Sequence, residues 1–157
     1  NNSFACFLIG TNFESGILNG WTTTAVSGGN SWTNSNTNPY QGTRHAQSQP
    51  RSTTEPASVL ERTISTVGYN VINFSYYKRL IGLDVADEFK VKWFDGFVWS
   101  VLDQTGGSSA NDANYVYRYF TLPAGAGNNP NFKIRFECTA GAVSEFCRID
   151  NVLVMSQ

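Results

Sequence analysis

Strict alternation of apolar and polar residues is the feature that most constrains the fold of this chain. It runs through residues 72–77, 88–93 and 132–138, where every second side chain is Ile, Phe, Tyr, Val, Trp or Cys. A period of two is that of a β-strand with one buried face and one solvated face. No segment carries a sustained helical period, so the sequence predicts an all-β protein.

Turn signals divide the rest of the chain into further short strands. Asp95-Gly96 is the strongest hairpin signal, and the polar segments 34–40, 104–114 and 123–130 are predicted loops and turns. About ten strands with polar connections favour a two-sheet antiparallel β-sandwich, and we predict the jelly-roll topology. The other predicted strands are residues 3–9, 21–26, 43–48, 58–64, 97–102, 115–122 and 145–154, with a brief pairing at 31–33.

Length and charge exclude several classes of protein. A chain of 157 residues suits one domain with a substantial core, and we predict a single domain over residues 1–157. The net charge of -1 offers no basic field for nucleic acid or anionic lipid. The chain has no apolar run near the roughly 20 residues that span a bilayer, so membrane insertion is not expected. Abundant Asn, Thr and Tyr with few Lys favour a secreted or cell-surface location.

The three cysteines leave one without a partner of its own. Cys138 and Cys147 flank a turn that contains glycine, so they are placed to face each other, although two buried free thiols are equally consistent. A bridge would contribute about 2–3 kcal/mol. Cys6 is predicted to be a small core residue. With no Cys-x-x-Cys pair and with His45 as the single histidine, zinc is not expected.

Two acidic residues at opposite ends of the chain lie in apolar surroundings. Glu14 follows Phe13, and Asp150 lies inside the apolar closing segment 145–154. Burying an unpaired carboxylate costs several kcal/mol, so a cation should meet each of them. Arg148 is the one cation at strand spacing from Asp150. The sequence predicts a calcium ion shared by the first and last strands, with a hydrogen-bonded carboxylate pair or an Asp150–Arg148 ion pair as alternatives.

Three tyrosines alternate along one predicted strand. Tyr115, Tyr117 and Tyr119 share a face, and the opposite face carries Phe120 and Leu122. Because the latter pair is expected in the core, the three rings should point outward, where they would form a platform that stacks on sugars. The alternative is that a loop or the inner face of the sandwich covers them. Further surface aromatics predicted for such a ligand-binding site are Tyr77, Trp99, Trp32 and Tyr40.

Catalytic signals are weak. The chain has no Gly-x-Ser-x-Gly nucleophile motif to combine with His45, which is predicted to be a polar strand residue. Glycoside hydrolysis requires two facing carboxylates in a cleft. The acids around one predicted hairpin lie in turns or on wet faces, so we predict solvated charges and no enzyme. These acids are Asp84, Asp87, Glu88, Asp95 and Asp103.

A series of short motifs follows one order along nearly the whole chain. They are Phe13-Glu14, Gly20-Trp21, Ser31-Trp32, Gly42 with Ala46, Asp95-Gly96 with Trp99, Leu122-Pro123, Arg135-Phe136 and Ile149-Asp-Asn-Val152. This order resembles that of MAM-type jelly rolls, of cleaved-adhesin domains of bacterial surface proteins, and of jelly-roll carbohydrate-binding modules of secreted glycoside hydrolases. MAM domains have more regular cysteines than this chain, so the adhesin and carbohydrate-binding groups fit better.

The resemblance implies a non-catalytic extracellular binding or adhesion module that recognises carbohydrate and holds a structural calcium ion. Carried over by position, Glu14 and Asp150 would be the side-chain ligands, and backbone carbonyl groups near Thr43 or Arg44 would complete the calcium site. One alternative is a self-assembling surface subunit that pairs through the apolar residues 4–9. A second alternative is a glycan-degrading enzyme.

Overall fold

Eleven β-strands make up the computed structural model, which describes residues 6–16, 18–106 and 108–157. The one helical element among the described residues is the 3-10 turn Ala124–Ala126. In that same part of the chain, no helix is long and apolar enough to cross a bilayer. The strands are β1 Cys6–Thr11, β2 Thr22–Ala25, β3 Thr33–Ser35, β4 His45–Ser48, β5 Ser58–Thr63, β6 Ile72–Ile81, β7 Glu88–Phe94, β8 Trp99–Gly106, β9 Val116–Thr121, β10 Lys133–Thr139 and β11 Phe146–Ser156.

The strands form two antiparallel sheets that pack face to face. One sheet has the order β3-β4-β11-β6-β9, with β1 beside the second half of β11, and the other has the order β2-β5-β10-β7-β8. The predicted all-β sandwich of jelly-roll type is confirmed. The predicted loop 104–114 is shorter than expected, because β8 continues to Gly106.

The first and last strands are neighbours. In β1, Cys6 pairs with Ser156 and Thr11 pairs with Val152 of β11. Phe4 and Ala5 of the proposed self-assembly segment lie outside the described residues, whereas Cys6–Thr11 is already hydrogen bonded within the chain. Pairing with another copy through residues 4–9 therefore stays a prediction.

The core follows the alternation of the sequence. Phe74 and Tyr76 of β6 meet Phe136 of β10 across the sandwich, with the rings of Tyr76 and Phe136 perpendicular and their centroids 5.3 Å apart. Phe89 and Val91 of β7 are also fully buried. Each large apolar side chain buried in this way contributes about 1.5–3 kcal/mol relative to an exposed one.

Trp32 belongs to this core, and its prediction as a loop or surface aromatic is wrong. Its side chain is 2% exposed, and its indole N–H donates to the carbonyl oxygen of Ser58 at 3.3 Å. The residue immediately precedes β3, and the ring lies 6.4 Å from that of Phe136. Polar flanking sequence does not reveal this inward direction.

A charged network is buried between the sheets around Asp103. The Asp103 carboxylate accepts from the hydroxyl of Tyr76 and from Lys78 Nζ, each at 2.8 Å, and Arg118 Nε lies 3.4 Å away. The prediction of Asp103 as a solvated charge is wrong, as it is for Asp87, which is 3% exposed. A register shift in the β7–β8 pairing places Asp103 opposite the buried Val91. Such a one-residue slip turns a side chain to the other face of a sheet.

The Cys138–Cys147 disulfide joins the two sheets, because Cys138 lies in β10 and Cys147 in β11. The remaining thiol, Cys6, is half-buried and lies 3.5 Å from the Tyr69 hydroxyl. It lies at the start of the first strand, beside the core rather than within it.

Replacing both Cys138 and Cys147 by serine is expected to lower the free energy of unfolding by about 2–3 kcal/mol, because the bridge closes a short loop in the unfolded chain. Urea denaturation of the double variant and of Cys6→Ser measures the difference. Cys6→Ser should lie within about 1 kcal/mol of the wild type, since it removes no buried cross-link. Equal stability of the double variant and the wild type would contradict the prediction.

Candidate functional site

The outer face of the six-stranded sheet carries two rows of side chains that cross it from strand to strand. In the first row, Gln47 of β4 pairs with Arg148 of β11, which pairs with Arg79 of β6. In the second row, Asp150 of β11 pairs with Tyr77 of β6, which pairs with Tyr117 of β9. The surface therefore combines charged and aromatic groups on one rigid scaffold. We refer to Tyr40, Tyr77, Tyr115, Tyr117 and Tyr119 together as the tyrosine face.

Four of the five rings of the tyrosine face, all except that of Tyr119, form a chain of contacts. Tyr40, from the loop before β4, stacks on Tyr77 with centroids 3.7 Å apart, and Tyr77 lies 4.9 Å from Tyr117. Tyr117 is 51% exposed, Tyr119 46% and Tyr40 42%. The structure thus places Tyr117 and Tyr119 outward, as the alternation indicates, while Tyr40 covers much of Tyr77. Partly exposed rings in contact make an aromatic platform that carries both apolar ring surface and hydroxyl groups.

Trp99 does not join this platform. It lies in β8, at the edge of the five-stranded sheet, where its ring is 5.0 Å from Phe94 and 4.1 Å from the Arg135 guanidinium. The prediction that Trp99 and the tyrosines form one site is therefore wrong. Alternation assigns a residue to a face of its own sheet, but it does not say which of the two sheets a strand joins.

A cavity of about 380 Å³ opens beside the platform, between the loop that carries Tyr40 and the segment before β9. The Tyr115 hydroxyl donates to the carbonyl oxygen of Asn38 at 3.0 Å and so links the two walls. Burial raises the pKa of Tyr115, with a further contribution from the charge of Asp150, so the hydroxyl stays neutral. The cavity is lined by Asn38, Pro39, Tyr40, Arg79, Asn114 and Tyr115.

Glu14 and Asp150 hold the same short loop. The Asp150 Oδ2 accepts from the backbone N–H groups of Tyr40 at 3.1 Å and Gln41 at 3.2 Å. The Glu14 carboxylate accepts from the N–H of Thr43 at 2.9 Å and of Arg44 at 3.0 Å. The two acids from opposite ends of the chain are thus brought to one loop, residues 40–44.

Gly42 permits this arrangement. Its φ is +68°, and a Cβ atom there would lie 2.3 Å from the Glu14 Oε1. A residue with a side chain would therefore be strained in its backbone and would collide with the carboxylate. The loop can pass against Glu14 only because position 42 is a glycine.

The electrostatics of the two acids differ. Asp150 is fully buried, and burial raises its pKa to about 6, with a contribution from the charge of Glu14. Hydrogen bonds from the Thr43 and Arg44 amides lower the pKa of Glu14. Arg148 donates its Nε–H to the Gln47 Oε1 at 2.8 Å and does not pair with Asp150. Within the described residues, neither Glu14 nor Asp150 forms an ion pair.

Glu14 and Asp150 offer oxygen donors of the kind that a calcium ion binds. Two carboxylates beside one loop, one of them buried and without a cationic partner among the described residues, supply the oxygen ligands that calcium prefers. The Thr43 and Arg44 groups that face Glu14 are amides rather than carbonyls. Their role as backbone ligands stays a prediction, whereas the two acids fit the ion chemically.

His45 is enclosed near the same loop. It is fully buried at the start of β4, and neither ring nitrogen has a hydrogen-bond partner within the described part of the chain. Burial lowers its pKa to about 4, and the charge of Arg148 acts in the same direction. His45 is therefore a neutral, buried strand residue rather than a solvated one.

One further acidic cluster could not be predicted from the sequence. Carboxylate oxygens of Asp84, Asp87 and Glu145 lie within 4.8 Å of one another, and the last two residues are buried. Asp87 accepts from the N–H of Asp84, and Glu145 accepts from the N–H of Ala142. The Asp84–Asp87 spacing is visible in the sequence, but the approach of Glu145 depends on the tertiary fold.

Neither a protein-family model nor a curated protein matches the chain. Solved structures do match, and several of them are covered over almost their full length. The family 61 carbohydrate-binding module TmCBM61, solved with β-1,4-galactotriose, superposes with a TM-score of 0.70 at 11% identity, covering 94% of this chain and 95% of that one. The chain shares its fold with carbohydrate-binding modules.

Two other matches extend this comparison. The CBM22-1 xylan-binding domain of Paenibacillus barcinonensis Xyn10C gives a TM-score of 0.64 at 17% identity, covering 96% of this chain and 94% of that one. The K2 cleaved adhesin domain of Lys-gingipain gives 0.61 at 15% identity, covering 95% and 99%. The resemblance to carbohydrate-binding modules and cleaved-adhesin domains is confirmed at the level of the fold.

Proposed function

We propose that this chain is a non-catalytic extracellular module that binds carbohydrate on its tyrosine face. The observation that carries the proposal is the aromatic platform on the outer face of the six-stranded sheet, where Tyr117 contacts Tyr77 and Tyr119 follows on the same face, both about half exposed. Contiguous exposed apolar patches on a protein surface commonly mark binding sites. The apolar face of a sugar ring matches a flat aromatic ring, and sugar hydroxyls match the polar groups that surround it.

The polar surroundings of the platform support the same function. Gln47, Arg79 and Arg148 lie in the row next to the Tyr77–Tyr117 row and offer hydrogen-bond donors and an acceptor. They project from paired strands, which hold a binding surface more rigidly than loops do. A saccharide on the rings would therefore meet directional polar groups at its edge.

The arrangement does not suit hydrolysis. Glycoside hydrolases place two carboxyl groups on either side of the scissile bond. Asp150 is fully buried beneath the loop and already accepts three backbone hydrogen bonds, from Tyr40, Gln41 and Asn151. Since it cannot face a glycosidic bond from that position, binding without catalysis is the activity we propose.

We further propose that the protein works outside the cell or at its surface. The Cys138–Cys147 disulfide supports this location, because such bridges persist in oxidising compartments. The match to a cleaved adhesin domain is in keeping with a role in adhesion.

A structural calcium ion at Glu14 and Asp150 is the second part of the proposal. Bound there, it would neutralise the two acids and join the end of β1 to β11 through loop 40–44, without taking part in chemistry. Two observations support this calcium site. The Asp150 carboxylate is buried, which raises its pKa, and it lies close enough to Glu14 for the charge of Glu14 to raise that pKa further. Calcium would stabilise the folded state by linkage, since the unfolded chain does not assemble these ligands.

A glycan array followed by titration tests the carbohydrate function. Tyr117→Ala and Tyr119→Ala are expected to weaken binding of the best ligand by about tenfold each, a loss of about 1.4 kcal/mol, because each removes an exposed stacking surface. Both variants should keep the wild-type melting temperature within about 2 °C, since neither ring is in the core. Unchanged affinity in both variants, or no glycan bound by the wild type, would overturn the proposal.

A further inference from the structure

The cations on the two outer faces of the sandwich are paired differently. On the five-stranded sheet, the lysines of β7 and β10 and Arg135 all lie close to carboxylates. The ion pairs are Lys90 with Glu55 and Glu88, Lys92 with Glu137, Lys133 with Glu61, and Arg135 with Glu61 and Glu137.

Arg79 and Arg148, on the six-stranded sheet, have no such partner. They are opposite each other in the β6–β11 register, and among the described residues no carboxylate oxygen lies within ion-pairing distance of either guanidinium. Arg79 Nε donates to the carbonyl oxygen of Asp112 at 3.1 Å, and Arg148 Nε donates to Gln47. The Nη groups of both residues have no hydrogen-bond partner within the same described part.

The position of Arg79 directly opposite Arg148 is unfavourable in the absence of a ligand. Like charges directly opposite one another on neighbouring strands destabilise a sheet. Arg148 is also 6% exposed, so its charge has lost much of its hydration. An anion bound at Arg79 would reduce both costs, because a guanidinium binds a planar or tetrahedral oxyanion through two parallel hydrogen bonds and the negative charge would lie near both arginines.

The cavity beside the tyrosine face gives this anion a place. Arg79 lines the 380 Å³ space together with Tyr40, Tyr115 and two asparagines, Asn38 and Asn114. A cavity of this size falls in the range of small-ligand sites. Rings, amide groups and a guanidinium without a carboxylate partner in one cavity are the groups that recognise a charged sugar residue.

We propose that Arg79 and Arg148 make the tyrosine face selective for acidic saccharides, with the carboxylate or sulfate of one sugar residue bound at the Arg79 guanidinium. This inference rests on the proposed carbohydrate function and names the class of ligand. Arg79, which lines the cavity, is the direct contact. Arg148, which is more buried, strengthens the positive potential behind it.

Matched ligands test the selectivity. Titration compares glucuronate-bearing xylan with the same xylan after carboxyl reduction, polygalacturonate with its carboxyl-reduced form, and dextran sulfate with dextran. The wild type is expected to bind the acidic member of at least one pair at least tenfold more tightly than the neutral member. Selectivity in a xylan or polygalacturonate pair indicates a carboxylate ligand, and selectivity in the dextran pair indicates a sulfate. Arg79→Gln should bring that ratio close to one, because it lowers the affinity for the acidic member far more than the affinity for the neutral member.

Lys133→Gln is the matched control, because it removes one positive charge from the outer face of the other sheet. It should leave the ratio unchanged, and an equal loss in both variants would mean attraction by net charge alone and would overturn the inference. A wild type that binds neutral and acidic members equally would also overturn it, while the carbohydrate function stands. A wild type that binds neither member of any pair, and no glycan on the array, would overturn both.

Discussion

Replacement of Asp103 by asparagine is expected to lower the free energy of unfolding by about 3–5 kcal/mol, the usual cost of breaking a buried ion pair from one side. The substitution leaves the Lys78 ammonium, which is 8% exposed, without its counterion, and it weakens the hydrogen bond from the Tyr76 hydroxyl. Because this network joins β6 to β8 across the core, its loss should destabilise the contact between the two sheets.

Urea denaturation of Asp103→Asn and Glu55→Gln measures this effect against a surface pair. Glu55 pairs with Lys90 on an outer face, where the loss of an ion pair costs about 0–1 kcal/mol. Comparable destabilisation in the two variants would contradict the prediction, because the Asp103 network would then contribute no more than a surface contact.

The same network gives the wild type a defined acid sensitivity. Burial by itself would raise the pKa of Asp103, but the hydrogen bond and charge of Lys78, the Tyr76 hydroxyl and the charge of Arg118 together outweigh it, and the net pKa lies below the ordinary value of 3.8. A lowered pKa stabilises the fold above pH 3.8, and this stabilisation is lost as the pH falls through the native pKa. The stability difference between the wild type and Asp103→Asn should therefore shrink below about pH 4.

Removal of calcium is expected to have the second largest effect. If calcium is present at about 100–1,000 times its dissociation constant, chelation lowers the free energy of unfolding by about 3–4 kcal/mol. For a chain of this size, that loss corresponds to a fall of about 10 °C in melting temperature. Differential scanning fluorimetry in calcium and in excess chelator measures the shift directly.

Three variants show which carboxylates are responsible for the calcium-dependent shift in melting temperature. Glu14→Gln and Asp150→Asn should abolish the calcium-dependent shift, because each removes one of the two carboxylates at loop 40–44. Asp84→Asn, in the separate cluster with Asp87 and Glu145, should retain it. A melting curve that does not change with chelator, or a shift that Asp84→Asn alone abolishes, would contradict the proposed ligands.

Much of the architecture was predictable because it depends on local patterns. Alternation identified the buried faces of β6, β7 and β10, and the short spacing between Cys138 and Cys147 left a disulfide open. The acidic residues at the two ends of the chain signalled that the termini meet, and Glu14 and Asp150 do hold one loop. Period, spacing and the cost of burying a charge are all properties that a sequence displays.

The features that escaped prediction depend on register and on tertiary packing. A bulge in the β7–β8 pairing turned Asp103 inward, and no residue type marks its position. Strand order placed Trp99 on the opposite sheet from the tyrosines. The stacking of Tyr40 on Tyr77 follows from the path of loop 40–44, which is held by Asp150 from the far end of the chain.

We expect the tyrosine face, and no other surface, to bind carbohydrate. Calorimetric titration of the best array ligand into Tyr117→Ala and Trp99→Ala tests this most directly, because the two residues are partly exposed aromatics on opposite sheets. We predict an approximately tenfold loss of affinity in Tyr117→Ala and wild-type affinity in Trp99→Ala. The reverse result, with binding lost in Trp99→Ala and retained in Tyr117→Ala, would contradict a binding site on the tyrosine face.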